Sequence, residues 1–349
     1  MSVLEKEKLQ RPTKDESKIV IEENLNSIIC GDALETLKRF PDESINCCIT
    51  SPPYYGLRDY KSDGQIGREN TVEEYLERLV QVFREVKRVL KKDGTCFIVI
   101  SDSYAGSGGG KGKYVDPKYP KGRNGQSSSI TQKVLGCKPK DMLGVPWRLA
   151  LALRDNGWYL RSDIIWHKEN AMPEPCKDRP TRSYEHIFLL TKSPKYYYDF
   201  DAMKEPVKTS SKKRYVRGRS ENNKYLDEDA GISVQNINKA RKYGHYKGDN
   251  TPQFRNKRDI WTINTVSFRG NHYAAFPPKL AEICMIAGSP KESIVLDPFI
   301  GSGTVGMVAL LQGRNYIGIE LNEDYCKLAR QRIRQETEGL NEEENAKAI

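Results

Sequence analysis

Ser293-Ile294-Val295-Leu296-Asp297-Pro298-Phe299-Ile300-Gly301-Ser302-Gly303-Thr304-Val305-Gly306 reads as a strand, a glycine-rich turn and the start of a helix. The glycines let the backbone come close to a ligand, and the helix that follows offers free N–H groups at its N-terminus. After that helix a second strand pattern, Tyr316-Ile317-Gly318-Ile319-Glu320, ends in an acid. Glu320 stands 19 residues after Gly301, a distance suited to holding ribose hydroxyls beside a glycine turn.

A second stretch, Ile45-Asn46-Cys47-Cys48-Ile49-Thr50, reads as a short buried strand and runs into Ser51-Pro52-Pro53-Tyr54-Tyr55. The two prolines end any ladder pairing and fix an extended, rigid turn. The turn presents a hydroxyl, carbonyls without competing N–H groups and a flat aromatic surface at the C-terminal end of a strand. Open α/β sheets bind ligands at that edge, and a planar base with an exocyclic amine fits such a site. Taken alone, the segment is also readable as a Pro-Pro turn capped by surface aromatics.

Between and around these stretches, strand and helix patterns alternate. Ile28-Ile29-Cys30 leads into Gly31-Asp32 and a short helix over Ala33–Phe40. Residues 71–91 carry apolar positions at helical spacing, Asp93-Gly94 closes that element, and Thr95–Ser101 is a strand. A helix over Val145–Asn156 ends at Gly157, and strands follow over Trp158–His167 and Tyr184–Thr191. Phe276-Pro277-Pro278-Lys279-Leu280 opens a helix with proline in its first turn, where the missing N–H costs little. A last amphipathic helix spans residues 323–336. Such alternation argues for an α/β fold, a mostly parallel sheet with helices on both faces.

The chain has 349 residues, 37% of them hydrophobic and 30% charged, enough for one large domain with insertions or for two domains. It has no apolar run of about 18 residues, so no transmembrane helix is expected, and Met1–Lys8 has no signal-peptide core. The net charge of +10 favours polyanionic partners. Eight cysteines without CxxC spacing, among them Cys30, Cys47, Cys48 and Cys96 in apolar runs, read as reduced buried thiols of a cytoplasmic protein. Four scattered histidines give no metal-ligand spacing.

Asp297-Pro298-Phe299-Ile300-Gly301-Ser302-Gly303-Thr304, taken with Thr50-Ser51-Pro52-Pro53-Tyr54, resembles the amino-methylating DNA methyltransferases. Their hallmark pair is a cofactor motif, Phe-x-Gly-x-Gly, and a catalytic motif, (Asp/Asn/Ser)-Pro-Pro-(Tyr/Phe/Trp). With the catalytic motif first, the order resembles the permuted beta group, over residues 25–200 and 270–337. The resemblance implies a Rossmann-like, mostly parallel seven-stranded sheet with an inserted DNA-recognition region. It also implies S-adenosyl-L-methionine as cofactor and a target base flipped out of duplex DNA. Ser51 Oγ and the Pro52 carbonyl would then bind the amine, with Pro53 shaping the turn and Tyr54 stacking on the base. Asp297, Pro298, Phe299, Gly301, Ser302, Gly303 and Thr304 would cradle the cofactor, and Glu320 would take its ribose. Asp32 would contact the adenine amine, or simply cap the helix after it. Phe276 to Lys279 would line the methionine pocket. Serine at position 51 leans towards cytosine N4 over adenine N6.

The same resemblance divides the chain. Residues 1–24 form a tail, 25–200 the catalytic half, 201–262 a target-recognition insert, 263–337 the cofactor half and 338–349 an acidic tail. Residues 105–140, with Lys111 and Lys113, read as a flexible basic loop that orders on DNA or as a plain solvated loop. In the insert, Lys212, Lys213, Arg214, Arg217 and Arg219 interleave with tyrosines, which suits phosphate contact and stacking and also suits a solvated face. The partner would be double-stranded DNA, with a cognate restriction endonuclease or none, and the protein a monomer or homodimer. Three rivals stay open. Gly301 to Gly306 matches GxGxxG, so a permuted dinucleotide oxidoreductase is one, although only 43 residues follow Gly306. A non-catalytic DNA-binding protein is the second. The third is methylation of RNA or another planar amine. Pro175-Cys176 is the dipeptide of cytosine C5 methylation, away from the catalytic motif order.

Overall fold

The computed structural model describes residues 18–56, 64–106, 136–174, 176–212, 252–265 and 276–347. The chain divides into two compact units, residues 1–199 with 259–349, and Phe200–Arg258. The large unit is built on an eight-stranded sheet. Its order is β1 (Ser27–Cys30), β10 (Asn315–Glu320), β9 (Ile294–Asp297), β2 (Ile45–Thr50), β3 (Leu90–Ile100), β5 (Tyr184–Thr191), β4 (Tyr159–His167), β8 (Ile260–Thr262). Strand β5 runs antiparallel to both β3 and β4, and every other neighbouring pair is parallel.

The family resemblance implies seven strands; the eighth is β8. It pairs with the outer edge of β4 through Ile260, Trp261 and Thr262. Trp261 is buried, and the Trp166 indole N–H donates to the Ile263 carbonyl at 2.8 Å. Three residues are too few to show an alternating pattern, so the strand is fixed by its neighbour.

Helices cover both faces: α1 (Ala33–Lys38), α2 (Val72–Val89), α3 (Val145–Asp155), α4 (Pro278–Gly288), α5 (Thr304–Leu311) and α6 (Glu323–Lys347). The pleat sorts them. Cys48, Ile98 and Leu296 share a core cluster with α1, α2 and α3. Cys47 and Phe97 point the other way, against Gly288 of α4, where an added Cβ would lie 2.5 Å from the Phe97 ring. Helix α2 is amphipathic, burying Tyr75, Leu79, Val82, Phe83, Val86 and Val89, each such side chain contributing about 1.5–3 kcal/mol. A reciprocal cap starts it: Thr71 Oγ1 accepts the Glu74 N–H at 3.1 Å and Glu74 Oε2 accepts the Thr71 N–H at 3.3 Å.

Local signals misplace three boundaries. Asp93-Gly94 lies inside β3, because Leu90 already pairs with Ile45 and a register shift before Cys47 absorbs the extra residues. Helix α6 continues past residue 336 to Lys347. Within the stretch assigned to an N-terminal tail, Ile19 and Ile21 are buried, and the Ile19 N–H donates to the Arg39 carbonyl at 2.9 Å. Cys47, Cys48 and Cys96 are buried thiols, whereas Cys30 at the end of β1 is exposed.

The smaller unit pairs β6 (Glu205–Pro206) with β7 (Phe254–Arg255) in an antiparallel ribbon. Glu205 accepts from Arg255 Nε at 2.8 Å and from Arg258 Nε at 2.9 Å, and Lys212 Nζ donates to Gln253 Oε1. Lys111, Lys113, Lys213, Arg214, Arg217 and Arg219 lie outside the described residues. Among the described residues no helix is long and apolar enough to cross a membrane.

Candidate active site

The two singled-out motifs are more than 240 residues apart in sequence and adjacent in space. Strands β2 and β9 are hydrogen-bonded neighbours, with Cys47 opposite Val295 and Cys48 opposite Leu296. Both therefore deliver their following turns to the same C-terminal edge of the sheet, where α/β folds place ligands. One side-chain contact joins the turns: the buried Thr50 hydroxyl donates to Asp297 Oδ1 at 2.6 Å. The same oxygen accepts the Phe299 N–H at 3.0 Å. Burial pushes the Asp297 carboxyl up to about 7, against the pull of these two donors. A carboxylate so placed is ready to gain charge when a cation arrives beside it.

On the β2 side, Ser51 is half-buried and Pro52 buried. Pro53 is held from below, its carbonyl accepting the Tyr75 hydroxyl of α2 at 2.8 Å. The Ser51 hydroxyl donates to the Tyr54 oxygen at 3.3 Å, and the Tyr54 hydroxyl donates to Glu185 Oε2 at 2.5 Å. Burial and the neighbouring Glu185 carboxylate hold the Tyr54 phenol well above its ordinary value, so it keeps its proton. The Tyr55 ring turns inward and meets Tyr75, centroids 5.4 Å apart.

On the β9 side, Gly301 (φ 50°) and Gly303 (φ 82°) both adopt left-handed conformations. At Gly303 a Cβ would also sit 3.0 Å from Ile333 Cδ1 and 3.2 Å from Ala329 Cβ of α6, so the turn is closed against that helix. Glu320 ends β10, the next strand over. Its Oε2 accepts the Gly301 N–H at 3.1 Å and its Oε1 the Asn322 N–H at 2.9 Å. Burial raises its pKa while these backbone donors hold it down. Pro298 is buried and Phe299 half-buried. Ser302 and Thr304 behave differently from what their place in the motif suggests. Both are buried, and Arg332 of α6 donates to Ser302 Oγ at 3.1 Å and to Thr304 Oγ1 at 2.9 Å. These hydroxyls anchor the turn to α6.

Asp32 follows β1, which pairs with β10 so that Cys30 lies opposite Glu320. Its Oδ1 accepts the Glu35 N–H at 3.0 Å, so it does cap α1, on the same edge as Glu320. Phe276 is buried just before α4. Lys279 is exposed and pairs with Glu282 at 2.9 Å. Lys212 belongs to the smaller unit. Cys176 is a free thiol whose Sγ lies 3.0 Å from Asp178 Oδ1.

Sequence reasoning passed over four groups. Thr50 looks like a strand residue until β9 is set beside it. Asp102 at the end of β3 is buried and accepts the Ser103, Gly144 and Val145 N–H groups at 2.8–3.0 Å, capping α3 with a carboxylate. Glu185 and Lys168 form a largely buried ion pair beside Tyr54. A charged residue at the start of an apolar strand, as Glu185 is, was the available signal.

Comparison with known proteins follows the same lines. The family model described as DNA methylase, covering N6 and N4 enzymes, matches residues 45–331. The type II methyltransferase M.SmaI of Serratia marcescens is 44% identical over 321 residues, 91% of this chain and 95% of its own. M.Cfr9I of Citrobacter freundii is 43% identical over 316 residues, 90% of each chain. Among solved structures, PvuII DNA methyltransferase (cytosine-N4-specific) superposes with a TM-score of 0.55 at 19% identity, covering 89% of this chain and 90% of its own. A Thermus thermophilus DNA modification methylase complexed with S-adenosyl-L-methionine gives 0.51 at 24% identity, covering 89% and 95%. These neighbours share the Rossmann-like fold. With both hallmark turns on one sheet edge and the model matched along most of its length, the chain belongs to the family of N6/N4 amino-methylating DNA methylases.

Proposed function

We propose that this protein transfers the methyl group of S-adenosylmethionine to the exocyclic amine of a base in duplex DNA, with cytosine N4 as the target. The observation that carries the reading is the 2.6 Å bond from Thr50 to Asp297, which ties the Ser51–Tyr54 turn to the glycine turn as one site. The residues suit the cofactor: two desolvated carboxylates, Asp297 and Glu320, end adjacent strands beside a turn of left-handed glycines. Asp297 would face the charged methionine end, with Phe276 lining its pocket, Glu320 would take the ribose hydroxyls, and Asp32 would meet the adenine amine. When bound, the cofactor supplies an electrophilic methyl group on a sulfonium.

The remaining chemistry falls to the chain. A base amine is a poor nucleophile because its lone pair is delocalised into the ring. Ser51 Oγ and the Pro52 carbonyl accept its hydrogen bonds as the nitrogen pyramidalises and line it up with the methyl group, so orientation supplies much of the rate. The base must leave the duplex to reach this depth, and Tyr54 offers its ring for stacking. Serine at position 51 favours cytosine N4. Adenine N6 is the second reading, because the family model spans both chemistries. The basic stretch that begins at Lys212 suits phosphate contact, and the relatives' designation as type II methyltransferases supports a cognate endonuclease as partner. The test is transfer of a labelled methyl group from S-adenosylmethionine by purified protein. We expect label in duplex DNA from a methylation-free host; label in RNA alone, or none with folded protein that binds the cofactor, would reject the reading.

A further inference from the structure

The reversed strand β5 brings its first residues, not its last, to the edge where the parallel strands end. Glu185 pairs with Trp166 on β4, one position beyond the His186–Ile100 pair at the end of β3. There it accepts the Tyr54 hydroxyl on Oε2 at 2.5 Å and Lys168 Nζ on Oε1. The Lys168 ammonium also lies 4.2 Å from the centroid of the Trp166 ring, which fixes it from the other side. Both partners of the ion pair are largely withdrawn from solvent, with 17% and 14% of their side-chain surface exposed. Such a pair costs desolvation, and here each partner fixes the position of the other.

Its geometry has a direction. An ionised carboxylate only accepts hydrogen bonds, and an ammonium only donates. Tyr54 must therefore give its single proton to Glu185. Its oxygen then has only lone pairs to offer Ser51, and in the long 3.3 Å contact between them the Ser51 hydroxyl is the donor. We propose that Glu185, fixed by Lys168, is a positioning residue that sets the hydrogen-bond direction of Ser51, so that Ser51 meets the substrate amine with lone pairs alone. The inference rests on the reading of Ser51 as amine acceptor. It adds a specific reason why a tyrosine hydroxyl stands at position 54, where a bare aromatic ring would serve for stacking.

Glu185→Gln tests it. In that variant Lys168 takes the amide oxygen, the amide NH2 turns to Tyr54, and the chain reverses: Tyr54 donates to Ser51, whose own proton then points at the amine. We expect single-turnover methyl transfer to fall about 10- to 100-fold, with cofactor Kd and DNA KM within about threefold of wild type. Adding Lys168→Met frees the amide to present its oxygen to Tyr54, and transfer should recover at least about threefold, a rescue that loss of structure would not allow. A wild-type rate in Glu185→Gln, or a slow rate that Lys168→Met leaves unchanged, overturns the proposal. Should Glu185→Gln not fold, Tyr54→Phe removes the same link while keeping the ring; slower transfer with unchanged cofactor Kd supports the relay and a wild-type rate overturns it. Ser51→Ala, run in parallel, separates the two ideas. Full turnover there means that the amine-acceptor reading itself fails, whereas a dead Ser51→Ala beside a fully active Glu185→Gln means that only the relay does.

Discussion

The turns after β2 and β9 sit side by side at one sheet edge and are built by opposite means. After β2, two prolines remove backbone donors, and what remains is a hydroxyl, carbonyls and an aromatic ring, a surface that accepts. After β9, glycines at φ 50° and 82° bend the backbone into a tight turn, the Gly301 N–H is held by Glu320, and the buried Asp297 and half-buried Glu320 carboxyls stand beside it. The first suits a neutral amine that must give up hydrogen bonds while it reacts. The second suits a ligand carrying a diol, an amino acid end and a positive charge. On the proposed reading, a division of labour at a single edge, joined through Thr50 and Asp297, would let one site handle two chemically unlike molecules.

If that division holds, damage to one turn should leave the other working. Ser51→Ala should slow methyl transfer about 100- to 1,000-fold, the scale for losing one preorganised hydrogen-bonding group, with cofactor affinity unchanged by calorimetry. Near-normal turnover breaks the comparison on the β2 side. Glu320→Ala should do the converse, raising cofactor Kd about 10- to 100-fold while transfer at saturating cofactor stays within a few fold. Unchanged affinity breaks it on the β9 side.

The junction itself can be read by pH. Folding raises the Asp297 carboxyl from 3.8 to about 7, so between those values the folded state keeps a proton that the unfolded state has released. Stability attributable to this group therefore falls as pH rises through that window and levels off above about 7. Asp297→Asn removes the titration. Denaturant unfolding at a series of pH values should show the variant gaining on wild type up to about pH 7 and then holding a constant difference. A difference independent of pH would place Asp297 in a more polar setting than its burial indicates. The smallest effect concerns DNA. Neutralising Lys212, Lys213 and Arg214 together should flatten the salt dependence of binding, the log–log slope becoming shallower by about 0.9 for each phosphate that is no longer neutralised. An identical slope means that the run faces solvent.

Legibility in the sequence followed how local the cause is. The Ser51–Tyr54 and Asp297–Thr304 turns could be read because proline and glycine constrain the backbone within a few residues, and the parallel α/β class because strand and helix periods alternate. Features set by distant partners could not. Asp93-Gly94 carries a turn signature, yet pairing with β2 draws it into β3. Ser302 and Thr304 have the hydroxyls of ligand-binding residues, yet Arg332 from a later helix claims them. The three residues of β8 have no pattern of their own. Glu185 acquires meaning only when β5 reverses and carries it to Tyr54, where Lys168, just past the end of β4, pairs with it.

The most direct test of the central claim is mass spectrometry of nucleosides from the DNA of a methylation-free host expressing this chain or its Ser51→Ala variant. The account predicts N4-methylcytosine with the wild-type chain and its near absence with the variant. N6-methyladenine in its place would contradict the choice of base. Undiminished methylation in Ser51→Ala would contradict the site.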